Sequence, residues 1–534
     1  MTESHSRRSF IGRSALASLG AGLGVSSLID LRAQGSGSDG AVDIGNRREL
    51  FVDSGLIERM SGETQLRMHH PRPAEIAIHH DAPWEGTGCG YHSVFQDGDL
   101  YRMYYKAWHL EVKNKRLLSN RHPLYCCYAE SDDGIQWRKP DLGNVEYAGS
   151  KKNNIAINSG KYGGLKADAG HPAVFRDENP NAAPDALYKA ILRSSGKRGL
   201  LVFKSPDGKR WSPLSKEPVF NGIGAFDSQN LAFWDPTIGK YRAYWRAFTE
   251  GHVTDSEWKP GGYRMIRTAT SDDLVNWSKF QDLKYEDSPN EHLYTNQIKH
   301  YHRAPHILIG FPTRYIDRGS SASMNALPDP EHRELRASAV ERYGYAITEG
   351  LLMASRDGVN FKRWNEGFLR PGAERPGTWH YGAQYIAWHA VETKSELPGA
   401  PNELSLYATE GYWHGKGSSL RRHTLRLDGF VSANAGWKGG ELLTKPIRFK
   451  GAKLELNFST SAAGGVRVEI QDAAGEAVPG FALADCPHQF GDSVGRVVHW
   501  KKGSDVSSLA GRTVRLRFVM KDSDLYAYRF IAQA

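Results

Sequence analysis

One short pattern returns four times along this chain: SDDGIQW at 131–137, SPDGKRW at 205–211, SDDLVNW at 271–277 and SRDGVNF at 355–361. Each copy has Ser, any residue, Asp, usually Gly, two further residues and an aromatic. Asp followed by Gly is a turn signal with a mechanism. The carboxylate bonds backbone N–H groups just ahead of it, and Gly accepts positive φ. The aromatic then opens a new strand and covers the sheet below. The motif is therefore structural, and it marks the corner between the third and fourth strands of a repeated unit. The copies start 74, 66 and 84 residues apart, whereas solenoid repeats are shorter and more uniform.

The rest of each unit follows the same order. An apolar first strand recurs as YHSVF (91–95), HPAVF (171–175), NLAFW (230–234), QIKHY (297–301) and QYIAW (384–388). A second strand recurs as YRMYYKAW (101–108), YKAILRS (188–194), YRAYWRAF (241–248), HILIGFPTRY (306–315) and ELSLYATEG (403–411). A third leads into the Ser-x-Asp-Gly turn, and the fifth unit ends more loosely in HTLRLDGF (423–430). The 56 Gly and 14 Trp suit β-structure with tight turns. The prediction is an all-β chain: a five-bladed β-propeller over 80–438, then a C-terminal β-sandwich over 439–534. Residues 35–79 form a lead-in, in which RRELFVDSGLIERM (47–60) is expected to supply a ring-closing strand.

SRRSFIG (6–12) is a twin-arginine pair followed by a Gly- and Ala-rich stretch too short to span a bilayer. It predicts a Tat signal over 1–34, the Tat translocase as partner, and a periplasmic or extracellular protein with no membrane span. The net charge is +9; without residues 1–33 there remain 65 bases and 58 acids. No basic tract with interleaved aromatics occurs, which excludes nucleic-acid binding of the usual kind. An anionic substrate is compatible with the charge. Of the four cysteines, Cys89 and either Cys126 or Cys127 leave open a disulfide beside the reading as buried thiols.

In a propeller, the starts of the inner strands and the ends of the second strands converge on one funnel. The strand starts carry Trp84, Glu85 and His92; Asp168 and His171; Asp227, Gln229 and Asn230; Glu291, His292, Tyr294 and Asn296; and Trp379, His380 and Tyr381. The strand ends carry Lys106, Arg193, Arg246, Arg314 and Glu410. Glycosidic cleavage needs two carboxylates in different environments, one protonated and one ionised. Asp227 and Glu291 are the candidate acid and base, with Glu85 and Glu410 next. Trp84, Trp379, Tyr381 and Trp413 offer flat faces for a sugar ring. Lys106, Arg246 and Arg314 suit a substrate carboxylate or sulfate, and His92, His171, Arg193, Gln229, Asn230, Asn296 and His380 complete the binding wall. Each has a plainer alternative, since Asp at a strand start is a common turn residue and a strand-end base is a common ion pair. No cofactor or metal is expected. His69–His70 and His79–His80 are strand neighbours that point to opposite faces. Neither a Gly-rich phosphate loop nor a Gly-x-Ser-x-Gly elbow is present.

With these turns and this order of propeller and sandwich, the chain resembles the five-bladed propeller glycoside hydrolases. It is most similar to glycosyl hydrolase family 32, the invertase and levanase type, with the family 43 arabinosidase and xylosidase type as a second comparison. Where that family has Asn-Asp-Pro-Asn, this chain has DAPWEGTG; its Arg-Asp-Pro corresponds to FRDENP, with Arg176 and Asp177; its Glu-Cys pair corresponds to FDSQN, with Asp227. The resemblance implies an exported hydrolase acting on an oligo- or polysaccharide by carboxylate acid/base catalysis. Two alternatives stay open. One is a carbohydrate-binding propeller without catalysis. The other is a polysaccharide lyase with His292, His380 or Tyr381 as base.

Overall fold

A computed structural model describes residues 40–532 apart from 197–198, 255–256 and 416. The twin-arginine segment lies outside the described residues. Five sheets follow one another along the chain, each running from an inner to an outer strand and antiparallel except where Lys284–Glu286 joins the outer edge of the fourth in parallel. The first holds Gly90–Asp97, Leu100–Ala107, Tyr125–Ser131 and Ile155–Asn158. The second holds Leu165–Arg176, Tyr188–Ser194, Gly199–Ser205 and Ser212–Pro213. Leu231–Asp235, Lys240–Val253, Trp258–Ser271 and Gln281–Asp282 make the third. The fourth holds Lys299–Tyr301, Ala304–Gly310, Met353–Ser355 and Asn360–Arg363. The fifth holds Val391–Thr393, Glu403–Glu410, Ser419–Arg426 and, outermost, Arg72–His79. This is a five-bladed β-propeller, closed by pairing a strand from before the first blade with the last one.

The closing strand is Arg72–His79, not 47–60. Ile57–Met68 pairs instead with Val431–Thr444 in the second body. That body combines Val42–Gly45, Glu49–Leu50 and Ile57–Met68 with the C-terminal strands in one hydrogen-bonded network of eight strands around its own apolar core. Asp428, fully buried, joins it to the fourth blade. Its carboxylate accepts from Tyr301 Oη at 2.9 Å, Arg303 Nε at 2.8 Å and Asn457 Nδ2 at 2.9 Å.

The repeated motif has one geometry in all four copies. The Ser hydroxyl accepts the N–H three residues on, at 2.9–3.0 Å from Gly134, Gly208, Leu274 and Gly358. The Asp Oδ1 accepts the next two N–H groups at 2.7–2.9 Å. All four pivot residues have positive φ, including Leu274 at +67°. The pivot carbonyl then holds the neighbouring blade. Tyr104 of the first blade donates to Gly208 O at 2.8 Å, Tyr244 of the third to Gly358 O at 2.9 Å, and Tyr407 of the fifth to Gly134 O.

Two glutamines link the inner strands across the ring. Gln229 donates from Nε2 to the carbonyls of Tyr91 and Pro172, both at 2.9 Å. Gln297 donates to Gln229 Oε1 at 2.6 Å and to Ile386 O at 3.1 Å. All five blades contribute to this bridge. One feature departs from the all-β expectation. Ala322–Asn325, Pro330–Ala339 and Glu341–Tyr345 are helices, inserted between Thr313–Asp317 and Ala346–Gly350, which form a three-stranded sheet with His292–Leu293 where the middle strands of the fourth blade run on.

Candidate active site

The starts of the inner strands open onto a cage of aromatic side chains. Tyr91, Tyr294, Tyr315, Tyr381, Tyr385, Tyr412 and Trp413 are its buried members, with Trp108 and Tyr343 at the edge. Ring centres lie 6.2 Å apart for Tyr91–Tyr385, 5.7 Å for Tyr294–Tyr385 and 6.1 Å for Tyr294–Tyr381. Extensions of the blades build the rim: the hairpin Glu111–Lys113 with Arg116–Leu118, the long hairpin of the third blade, and the helical insertion. Tyr91, Gln297 and Gln384 hold the same position of three inner strands, with φ of +52°, +47° and +60°. Bulky residues avoid that region unless the surroundings hold them there.

Charged groups line the cage. Lys106 Nζ donates to Tyr412 Oη at 3.1 Å and stands 4.4 Å from the centre of the Tyr91 ring. Among the described residues no carboxylate pairs with it, and burial pushes its ammonium down to about 7. Asp168 accepts from Gly170 N at 2.8 Å, His171 Nδ1 at 3.2 Å and Arg193 Nη1 at 3.4 Å. Burial raises its carboxyl, but His171 and Arg193 outweigh that and hold it at about 2. Burial also lowers His171. Arg193 is the permanent cation beside Asp168. His171 lies 5.6 Å from Tyr91, ring to ring. Asp227, with 41% of its side chain exposed, accepts from Arg246, which is buried with its guanidinium carbon 4.8 Å from the Tyr294 ring centre.

Several candidates from the sequence stand elsewhere. Glu291 pairs with Arg314 at 3.0 Å and Arg363 at 3.1 Å, and Arg314 also pairs with Glu349. Tyr315 joins the cage, so Arg314, its strand neighbour, faces the other way and takes Glu291 with it. Glu85 is closed off from solvent and accepts from Tyr105 Oη, Ala82 N and Lys139 Nζ. Glu410 pairs with Arg375 and Arg421 in a separate groove beside Pro71–Pro73. Trp84 bonds Asn154 on the first blade, and Trp379 bonds the Gly372 carbonyl. His92 packs against His80, their Nε2 atoms 3.1 Å apart. Gln229 is spent on the ring bridge. Asn230 bonds Phe226 O and Ser228 O, and Asn296 accepts from Ile298 N. His380 lies at the edge, with Nδ1 3.3 Å from Arg336. Lys106, His171, Arg193, Asp227, Arg246, Tyr381 and Trp413 are brought to or beside the cage.

Sequence reasoning missed Tyr385, Tyr412, Arg264, Arg342 and Tyr343. Arg264 has one usable signal: it sits opposite Phe248 in the hairpin that carries Arg246 two residues earlier. A separate cavity of about 610 Å³ lies at the far ends of the inner strands, lined by Phe95, Glu178, Gln297, Lys299 and His300 among others. No cage residue lines it. Among the described residues no group of three or more His, Cys, Asp or Glu is arranged to hold a metal ion, and the four cysteines are free and buried. No described helix is long and apolar enough to cross a membrane.

No family model matches this chain, and no curated protein matches it. Its structure is similar to several solved glycoside hydrolases. One is a family 43 arabinoxylan arabinofuranohydrolase from Bacillus subtilis, 13% identical, covering 84% of this chain and 96% of that one at a TM-score of 0.40. Another is a fructofuranosidase from Schwanniomyces occidentalis, 12% identical over 86% and 97%, at 0.36. A third is an endo-arabinase from Bacteroides thetaiotaomicron, 11% identical over 66% and 98%, at 0.37.

Proposed function

We propose that this chain is an exported enzyme of the glycoside hydrolase type, which takes a glycan into the tyrosine cage at one mouth of the propeller. The observation that carries this reading is the meeting, in one aromatic cage, of Asp227 with Arg246 and of Asp168 with Arg193. Sugar rings present C–H faces that stack on aromatic rings, and Tyr hydroxyls bond their hydroxyl groups. Asp168, held at about 2, is the carboxylate that stays ionised and stabilises a developing oxocarbenium charge. Asp227 is the half-open carboxyl that meets the leaving oxygen or the attacking water. Lys106, near neutrality at about 7, supplies a proton or a charge at the floor of the cage. The twin-arginine pair in residues 6–12 supports export by the Tat route.

The test is product release from a panel of neutral, uronic and sulfated glycans, with Asp227→Asn beside the parent. Release of reducing sugar by the parent, reduced at least 100-fold in the variant, supports the reading. Equal release by both removes Asp227 from the chemistry, and binding without release from any glycan leaves a carbohydrate-binding propeller.

A second reading has its own observation. Burial raises the Tyr294 phenol, but Arg246 and Arg264 outweigh it and draw the group below its ordinary value. A phenol of that kind abstracts the proton next to a uronate, as a lyase requires. Products absorbing in the ultraviolet would select this chemistry over hydrolysis.

A further inference from the structure

The cage holds more positive charge than its acids balance. Arg246 and Arg264 lie on one face of the third-blade hairpin, because Arg246 pairs with Ile266 and Phe248 with Arg264. Their guanidinium carbons stand 4.8 and 5.2 Å from the Tyr294 ring centre, and Arg264 also stands 4.8 Å from that of Tyr315. Arg342 reaches the same place from the helical insertion, where its Nη2 donates to Tyr343 Oη at 3.0 Å. Tyr343 in turn lies 5.1 Å from Tyr381, ring to ring.

These three guanidiniums share one carboxylate, Asp227, which Arg246 alone engages. Buried donors are left over. Among the described residues, Arg246 Nε and Nη1, Arg264 Nε and Arg342 Nη1 find no hydrogen-bond partner. An orphaned buried donor is costly, more so when it is charged, so such groups persist where a ligand pairs them. Diagonal like charges on one sheet face add to that cost. A guanidinium offers a planar fork of donors that matches a carboxylate or sulfate.

We infer that Arg246, Arg264 and Arg342 form a subsite for an oxyanion carried by the glycan, either a uronate carboxylate or a sulfate ester. This rests on the reading of the cage as a glycan site. The helical insertion then sets specificity, since it delivers Arg342 to a blade that otherwise lacks a base there.

The test uses the full chain and small probes at constant ionic strength: sodium sulfate, glucuronate, and galactose as the neutral control. Calorimetric binding is measured for the parent, Arg264→Gln, Arg342→Gln and Arg342→Lys, with circular dichroism to check folding. The expected result is single-site binding of sulfate or glucuronate, weakened at least 10-fold by each Gln variant and less by Arg342→Lys, with no matching effect on galactose. Sulfate alone identifies a sulfate ester; glucuronate alone identifies a uronate. Arg342 is at the surface of the cage, so its variants carry the test if Arg264→Gln does not fold. Binding unchanged in both Gln variants, or an adventitious ion only, with no preference over chloride, overturns the subsite. Anion binding without turnover of any glycan overturns the proposed enzyme and leaves the subsite standing. Turnover of neutral glycans with no anion binding does the reverse.

Discussion

Gln297 donates its amide to Gln229 at 2.6 Å, and through this pair the five inner strands are joined at the centre of the ring. Gln229 is fully buried and Gln297 nearly so. Their partners are mostly backbone carbonyls, so the bridge depends on side chains of one length and two donors. Gln229→Leu keeps the volume and strands the carbonyls of Tyr91 and Pro172. The expected loss is about 3 kcal/mol, from two orphaned acceptors and a Gln297 amide left with only the Ile386 carbonyl. Denaturant unfolding of parent and variant measures it. A loss below about 0.5 kcal/mol would show that the bridge does not stabilise the ring.

The motif carbonyls give a second, local test. Tyr407→Phe removes the hydroxyl that bonds Gly134 O of the neighbouring blade and changes little else. The expected cost is about 1–2 kcal/mol, with similar values for Tyr104→Phe and Tyr244→Phe at the equivalent joints. These joints lie on different blade pairs, so double variants should add to within about 0.5 kcal/mol. Strong coupling between them in unfolding experiments would contradict independent clamps.

The reach of the sequence follows from how local each feature is. The Ser131–Asp133 turn and its three relatives are built by contacts within six residues, so their spelling discloses them. The closing strand Arg72–His79 pairs with residues nearly 350 positions away, and nothing in its own pattern distinguishes it from Ile57–Met68. The site was legible as a place and not as a set of roles. Arg314 and Tyr315 differ by one residue, yet opposite strand faces put one in an ion-pair network and the other in the cage. Glu85 and Glu410 read as available acids until the partners that occupy them are known. Arg342 and Tyr343 belong to an insertion outside the repeat, so comparison between blades passes over them.

Asp168 makes stability depend on acid pH. Its carboxyl sits at about 2, below its ordinary 3.8, so the folded state binds the proton less readily than the unfolded chain. That contribution is complete above the ordinary value and is lost as pH falls through about 2. A shift of nearly two units is worth about 2 kcal/mol. Unfolding of the parent relative to Asp168→Asn, followed from pH 5 to pH 2, should show the parent losing its advantage over that window. A constant difference would mean that His171 and Arg193 do not hold the charge.

Lys106 gives stability the same rise with pH in a higher window, but as a cost of burial rather than a gain. Burial among Tyr91, Trp108 and Tyr412 lowers its ammonium from 10.5 to about 7. Between those values the unfolded chain holds one proton more than the folded one, so stability rises with pH across this window. Below about 7 both states are protonated and the cost of burying the charge is paid in full. Lys106→Met removes the charge and keeps most of the stem's packing. The variant should therefore gain on the parent by several kcal/mol, up to about 5, as pH falls from about 10 to about 7, and by no more below that. If glycan turnover needs this ammonium, the same variant is stable and inactive at pH 7, which separates a functional lysine from a structural one. Urea unfolding at a series of pH values, paired with turnover on the same samples, reads both. A stability difference that does not change with pH would place the Lys106 charge in solvent contact and end its part in the cage.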